Sequence, residues 1–184
     1  MRRGISWLVG LALVIAAGAV VALEPPEQMR QAPFVVEKNL GERGIGRNVE
    51  VTFTEVQLAD AVEYEEWTGT TTGVWLVVDL TAMNRVEPAG IQSFLLIGDR
   101  EYRGSDRMGS DGIESAVLAP GIPTSGTIMF EIPRELASQT SSARVLISTN
   151  SDWRLDSAVQ TTVDVSALEA LPVVPVSPAT KESP

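Results

Sequence analysis

The chain has 184 residues, 24 acidic and 14 basic side chains, a formal net charge of −10, and neither cysteine nor histidine. The missing thiol and imidazole exclude cysteine nucleophiles, thiolate or imidazole metal sites and the common Ser–His catalytic arrangements. An exported domain of this composition has to fold without disulfides. The length leaves room for one domain.

The first segment of the chain is an uncharged apolar run, Ile5–Leu23, which follows Arg2 and Arg3. As a helix this run would be roughly 28 Å long, close to the ~30 Å hydrocarbon core of a bilayer. Because basic residues favour the cytoplasmic side, we predict a single-pass membrane anchor over residues 1–23, with the C-terminal domain extracytoplasmic. The alternative is a signal peptide cleaved after Ala22, which the length of the run disfavours.

The charge is unevenly divided along the chain. Every acidic residue follows Leu23, whereas 2 of the 14 basic residues precede it, so the predicted exported part has a net charge of −12. Such a surface repels nucleic acid and anionic lipid headgroups, which excludes a nucleic-acid partner. The expected partners are the membrane, through the anchor, and an envelope protein or polymer. The absence of cysteine also removes a lipoprotein anchor.

Prolines divide the rest of the chain into three parts. Residues 24–46 contain three prolines and are predicted to be an extracytoplasmic stalk, in which Phe34–Val36 could add an edge strand or cover the base of the domain. Residues 47–168 are predicted to form the folded domain. Residues 169–184 are rich in proline and lack aromatic residues, so we predict a disordered or polyproline II-like tail.

The folded part has apolar residues at every second position, in short runs separated by turn-forming residues, which indicates β-strands. In the first run the apolar phase switches near Thr54–Glu55, which predicts a β-bulge. The most apolar run, Val74–Ala82, predicts a central strand. Val78 in this run and Phe130 in the run Thr127–Ile132 are predicted to be buried in the core. One helical turn is predicted at Pro133–Ala137. The predicted strands are Asn48–Leu58, Val74–Ala82, Ser93–Ile97, Glu101–Arg103, Thr127–Ile132, Arg144–Ser148 and Val159–Val165.

Strands of this number and spacing predict an all-β fold, an antiparallel immunoglobulin-like β-sandwich behind an N-terminal transmembrane helix. Four segments also resemble the motifs of a group of bacterial, actinobacterial-type extracytoplasmic immunoglobulin-like domains of unknown function. Its fold is similar to that of a secreted mycobacterial immunoprotective antigen. The segments are Gly73–Asn84, Ser93–Leu96, Leu118–Gly121 and Gly126–Pro133. The resemblance implies a sandwich behind a signal, lipid or helix anchor, and it implies no catalytic residues.

The sequence offers few candidate site residues. Asp60, Glu63, Glu65 and Glu66 lie close together and could serve carboxylate chemistry or bind Ca²⁺, but a polar loop of this kind is more often a solvated surface. The two lysines fall in the predicted stalk and tail, which disfavours a Ser–Lys pair. The methionines that could bind copper are scattered, at Met29, Met83, Met108 and Met129. We therefore predict no catalytic, cofactor-binding or metal-binding residues.

The sequence favours a membrane-tethered binding or structural module of the bacterial cell envelope over an enzyme. A stalk and a tail provide reach, and the loops of a sandwich present binding residues readily. The alternative is a carboxylate-based enzyme or a calcium-binding domain at the cell surface. A deep pocket with converging carboxylates would favour that alternative, whereas a shallow surface with an apolar patch would favour the module.

Overall fold

The computed structural model describes residues 34–152 and 156–182, which form a β-sandwich of two sheets. The predicted membrane anchor and the first part of the predicted stalk, up to residue 33, lie outside the described residues. Within the described residues, no helix combines the length and the apolar character that crossing a membrane requires.

The described residues contain eleven strands and one short α-helix. In chain order the strands are β1 (Phe34–Glu37), β2 (Arg43–Ile45), β3 (Val49–Tyr64), β4 (Trp67–Asn84), β5 (Gln92–Ile97), β6 (Arg100–Arg103), β7 (Thr124–Ile132), β8 (Ala143–Ser148), β9 (Ser157–Val163), β10 (Ala170–Pro175) and β11 (Thr180–Lys181). Helix α1 (Arg134–Gln139) follows β7, where one helical turn was predicted. Short 3₁₀ turns lie at Gly109–Asp111, Ile113–Ser115 and Val165–Ala167.

The two sheets have different strand orders. Sheet A has the order β1-β9-β8-β5-β6, and sheet B has the order β10-β3-β4-β7-β11, with β2 also paired to β3. The β1–β9 and β10–β3 pairs are parallel, and the other pairs are antiparallel. The prediction of a β-sandwich is therefore confirmed, but the prediction that it is wholly antiparallel is wrong. Both parallel pairs involve strands near the ends of the described chain, which reach their partners by long connections rather than hairpins.

The main core lies between the sheets. Along β4 the alternate residues from Val74 to Ala82 face inward, and they meet the inward residues of β7 across the ladder. Val78 pairs with Ile128 and Leu76 pairs with Phe130. Val78 and Phe130 are 0 % exposed, which confirms their predicted burial. β4 lies between β3 and β7, so the predicted central position of this strand is also confirmed.

β3 is longer than the sequence pattern predicted. The register shift between Phe53 and Glu55 confirms the predicted bulge. The strand then continues past Leu58 to Tyr64, and a two-residue turn at Glu65–Glu66 leads directly into β4. The predicted acidic loop is therefore wrong: most of this segment is strand, because its apolar residues have a partner sheet surface to pack on.

The end of this long hairpin packs on the outer face of sheet B and forms a second core, the outer core. The indole Nε1 of Trp75 donates a hydrogen bond to Gly69 O at 3.1 Å, which ties the hairpin end to that face. Trp75 itself is fully buried. The outer core consists of Ala59, Val62, Trp75, Val77, Met108, Met129, Val174 and Val176, with Tyr64 and Trp67 packed against it.

The C-terminal segment is ordered, so the predicted disordered tail over residues 169–184 is wrong for its described part. β10 pairs with β3, and β11 pairs with β7. Val174 and Val176 enter the outer core. Prolines are compatible with this arrangement because β10 is an edge strand, where a missing N–H can face away from the ladder.

The N-terminal boundary of the folded domain also differs from the predicted one at residue 47. β1 pairs with β9, and β2 pairs with β3, so the sandwich begins no later than Phe34. The edge strand predicted at Phe34–Val36 is confirmed. The part of the predicted stalk that the structure describes therefore belongs to the sandwich.

Candidate functional site

The long connection between β6 and β7, residues 104–123, forms one wall of a small pocket. This connection exceeds the roughly 12–15 residues beyond which irregular loops are uncommon and usually functional. It crosses from sheet A to sheet B, and the pocket beside it has a volume of about 240 Å³. We call it the Glu114 pocket. It is lined by Gln92, Ser93, Arg103, Gly104, Ser105, Asp106, Met108, Gly109, Gly112, Ile113, Glu114, Ser115 and Thr127.

Glu114 is held in this pocket by the backbone and side chain of β5. Its Oε1 accepts hydrogen bonds from Ser93 N at 3.0 Å and from Ser93 Oγ at 2.6 Å. Its other oxygen, Oε2, accepts no hydrogen bond from residues 34–152 or 156–182. Glu114 follows Ile113, which is fully buried in the main core, so the packing of one residue fixes the position of the next.

A glycine provides the space for this carboxyl group. A Cβ atom at Gly104 would lie 2.2 Å from Glu114 Oε2 and 2.2 Å from Ser93 Oγ. Both distances are far below van der Waals contact. The backbone of Gly104 is tied to β5 by its N–H, which donates to Ser93 O at 3.3 Å. The absence of a side chain at Gly104 therefore leaves the space that the Glu114 carboxyl group occupies.

Three charged residues line the pocket: Glu114, which is partly buried, and Arg103 and Asp106, which are exposed. Burial raises the pKa of Glu114; the hydrogen bonds from Ser93 oppose this shift, and the nearby Asp106 carboxylate adds to it. Within the described residues no arginine or lysine forms an ion pair with Glu114. Arg103 lies over the Phe94 ring, and Arg107 lies over Trp75.

The hydroxyl group bonded to Glu114 is poorly placed to act as a nucleophile. The hydroxyl that bonds to the carboxyl belongs to Ser93, which is only 3 % exposed and donates its proton to Glu114. A nucleophile has to reach the substrate, and this hydroxyl is covered. The free Oε2 of Glu114, by contrast, can accept hydrogen bonds from a ligand.

The four acidic residues singled out in the sequence do not line this pocket. Asp60 makes an ion pair with Arg134 at 2.7 Å, Glu63 is exposed on β3, and Glu65 and Glu66 occupy the hairpin turn. Across the described part of the chain, no three acidic residues approach closely enough to hold a metal ion.

The methionines are also dispersed in the described structure. Met108 and Met129 are part of the outer core, and Met83 lies on β4, half-buried. Met29 lies outside the described residues. Glu114 was missed by the sequence analysis, although the length and the glycine content of the β6–β7 connection were visible signals.

Comparison with known proteins supports the fold. No protein-family model matches the chain, and no curated protein matches it. A crystal structure of an uncharacterized β-sandwich protein from Clostridium difficile 630 is similar, with a TM-score of 0.50, 12 % sequence identity, and coverage of 74 % of this chain and 99 % of that one. The yjhA protein from Bacillus subtilis has a TM-score of 0.46 and 17 % identity over 67 % of this chain and 98 % of that one. The first similarity shows the β-sandwich fold alone.

Proposed function

We propose that this chain is a membrane-tethered extracytoplasmic module of the bacterial cell envelope, which binds an envelope component through the Glu114 pocket and does not catalyse a reaction. The tether is supported by the apolar run Ile5–Leu23 and the two arginines before it. The binding role is supported by a rigid sandwich that presents a long, structured loop at its side.

The observation that carries the proposal is the Glu114 carboxyl group, which is partly buried in a pocket and has one oxygen free. Burying a carboxylate without a cation is unfavourable, so such a group is usually present for a reason other than stability. The volume of about 240 Å³ is below the roughly 300–1,000 Å³ of pockets for drug-sized ligands. The pocket therefore suits one small group of a larger envelope molecule.

We also propose that the chain is a member of the actinobacterial-type extracytoplasmic immunoglobulin-like group that its motifs resemble. Support comes from the positions of those motifs. Gly73–Asn84 lies in β4, Ser93–Leu96 lies in β5, and Gly126–Pro133 covers most of β7, so three of the four motifs coincide with strands. The fourth, Leu118–Gly121, lies in the β6–β7 connection. A solved or computed structure of a group member with the same long β6–β7 connection would strengthen this assignment.

The tether is tested by fractionation of bacteria that express the full chain. We expect full-length protein in the membrane fraction after carbonate extraction, and digestion of the sandwich by protease added outside spheroplasts. A shortened form that begins near Leu23 and is released into the medium would contradict the tether.

The binding role is tested by formaldehyde crosslinking in the same cells. Asp106→Trp places a large side chain at the exposed lining of the pocket, and Asp99→Trp, at the exposed β5–β6 turn outside the pocket, is the matched control. We expect envelope adducts with the wild type and the control, and loss of those adducts with Asp106→Trp. Identical adducts in all three, or none in the wild type, would contradict a binding role for this pocket.

A further inference from the structure

We propose that the Glu114 pocket recognises a primary ammonium group on a small, hydroxyl-bearing molecule, such as an amino sugar unit. This inference rests on the proposed function of the pocket as a ligand site and names the chemistry of its ligand. The argument comes from the geometry of Glu114, from the charges around it and from the groups that line the remaining space.

The free oxygen of Glu114 is an acceptor without a partner among the described residues. Oε1 is occupied by two hydrogen bonds from Ser93, whereas Oε2 faces the space beside Gly104. Asp106 adds a second negative charge at the exposed rim of the same pocket. A partly buried acceptor next to another carboxylate favours a positively charged donor.

The hydrogen bonds from Ser93 to Glu114 favour an ammonium group over a guanidinium group as the ligand. A guanidinium group is best bound by both oxygens of one carboxylate, in a bidentate pair. Glu114 offers one free oxygen, since its Oε1 already accepts two hydrogen bonds. An ammonium group is a compact point charge that needs one carboxylate oxygen and can direct its other donors elsewhere.

A metal ion is a poorer occupant than an ammonium group. Hard cations such as Ca²⁺ take six to eight oxygen ligands, usually from several carboxylates. No group of three acidic residues in the described part of the chain could supply them. An ammonium group needs about three hydrogen-bond acceptors, and the acceptors that line this pocket are the Glu114 and Asp106 carboxyl groups and the serine hydroxyls.

The rest of the lining is suited to hydroxyl groups. Ser105, Ser115 and Gln92 contribute side chains that both donate and accept hydrogen bonds, as sugar hydroxyls do. Ser115 Oγ donates to Gly109 O at 2.6 Å, which leaves its lone pairs for a ligand. The pocket therefore combines the carboxyl groups of Glu114 and Asp106 with hydroxyl and amide groups, while Met108 and Ile113 add apolar surface. Arg103, the cation of the lining, lies over the Phe94 ring.

The test compares two sugars that differ at the nitrogen. The full chain in detergent micelles is titrated with glucosamine, which carries an ammonium group, and with N-acetylglucosamine, in which the nitrogen is a neutral amide. Saturation-transfer NMR gives both affinities. We expect glucosamine to bind at least about tenfold more tightly, as the loss of a charge-assisted hydrogen bond implies. Equal affinities, or no binding of glucosamine, would overturn the proposal.

Variants identify the group that holds the ammonium. Glu114→Gln keeps the size and an acceptor for Ser93, and we expect it to weaken glucosamine binding by about tenfold or more. Glu135→Gln, on the exposed surface of α1, is the matched control and should not change the affinity. Asp106→Asn, at an exposed position, should weaken binding by a smaller factor even if Glu114→Gln fails to fold. Unchanged binding in both pocket variants would overturn the proposal.

The outcomes also separate this inference from the proposed function. If N-acetylglucosamine binds as well as glucosamine and Asp106→Trp blocks both, the pocket is a ligand site and only the ammonium specificity is wrong. If neither sugar binds and the crosslinked adducts are unaffected by Asp106→Trp, the proposed function fails as well.

Discussion

Glu114 connects the stability of the fold to the candidate site. Its Oε1 accepts both hydrogen bonds from Ser93. Ser93 lies just before the four residues of β5 that pair with β6, so Glu114 provides the acceptor for its N–H in place of a strand. The residue thus attaches the β6–β7 connection to sheet A. At the same time its other oxygen remains available inside the pocket, so the contact that orders the loop also positions the acceptor.

The raised pKa of Glu114 predicts a specific pH dependence of stability. A carboxyl group whose pKa is higher in the folded state binds protons more readily there, so its contribution to stability is fully present below the unfolded pKa of about 4.3. That contribution is lost as the pH rises through the folded pKa. Glu114→Gln cannot titrate. We expect its unfolding free energy relative to the wild type to increase as the pH rises from about 4 to neutral, measured by urea denaturation.

The control for that experiment is Glu135→Gln, because Glu135 is exposed on α1. Its difference from the wild type should change little over the same pH range. If the difference between Glu114→Gln and the wild type were independent of pH, or decreased toward neutral pH, the assigned burial of the carboxyl group would be wrong.

A second residue-scale prediction concerns Gly73, which lies where the pairing of β4 with β3 is interrupted. Between the pairs Ala59–Trp75 and Ala61–Thr70, β4 has four residues against one in β3. A Cβ atom at Gly73 would lie 2.1 Å from the backbone oxygen of Ile132, which cannot move aside as a side chain can. We expect Gly73→Ala to lower the free energy of unfolding by roughly 1–3 kcal/mol.

Gly90→Ala is the matched control for this change. At Gly90 the nearest atom to an added Cβ is 3.8 Å away, an ordinary contact distance. Its effect should stay within about 0.5 kcal/mol in the same urea titration. Equal effects of the two substitutions would show that the close approach of β4 and β7 at Gly73 is not as described.

At the residue scale, sequence periodicity predicted burial well where the side chain is apolar. Val78 and Phe130 were assigned to the core because they recur at every second position in strongly apolar strands, and both are buried. Glu114 could not be assigned in this way. A glutamate in a loop is usually exposed, and its partner Ser93 lies on another strand, so only the folded structure brings the two together.

At the scale of elements, the β3–β4 hairpin and the C-terminal strands together form the outer core. The hairpin provides Val62, Trp75 and Val77, and the C-terminal segment provides Val174 and Val176. Residues of both parts pack together in this one cluster. The backbone N–H of Val176 donates to Glu63 O at 2.9 Å, which continues the attachment of the segment to β3 beyond the end of β10.

The outer core predicts that the C-terminal segment stabilises the sandwich. Val174 is 2 % exposed, whereas its neighbour Val173 is 45 % exposed on the same strand. We expect Val174→Ala to lower the free energy of unfolding by roughly 2 kcal/mol, from ~0.8 kcal/mol for each buried CH₂ group lost and the cavity that remains. Val173→Ala is the matched control and should change it by less than about 0.5 kcal/mol. Similar effects of both variants would contradict the assigned register of β10.

The sequence predicted the strands of the sandwich interior better than those of its edges. Interior strands such as β4 and β7 have strong alternation, which depends only on their own residues. β10 contains two prolines and is exposed at several positions, so its own composition indicates disorder. Its order comes from the surface of β3, and a partner distant in the chain is not visible in local patterns.

At the scale of the whole molecule, both ends of the described chain are tied into the sheets. β1 pairs with β9 near the C-terminal side of the sequence, and β10 pairs with β3 near its start. These pairings join residues that are more than a hundred positions apart. Folding of the sandwich therefore requires most of the described chain, which is why domain boundaries at 47 and 168, drawn from local composition, were too narrow.

The same topology predicts that the loss of one central side chain weakens the whole sandwich. Phe130 lies on β7, opposite Leu76 of β4, and belongs to the main core that both sheets share. Phe130→Ala removes a fully buried aromatic ring, so we expect a loss of roughly 3–5 kcal/mol, a large part of the ~5–15 kcal/mol stability of a typical domain.

This prediction is tested on the full chain, because both β1 and β10 contribute to the folded domain. Thermal unfolding is followed by far-UV and near-UV circular dichroism, and Val86→Ala is the control because Val86 is 72 % exposed. We expect the two signals to fall together at a lower temperature in Phe130→Ala and to be unchanged in the control, since one core joins the two sheets. An unshifted midpoint in Phe130→Ala would contradict the register between β4 and β7, and with it the face of β4 assigned to the main core.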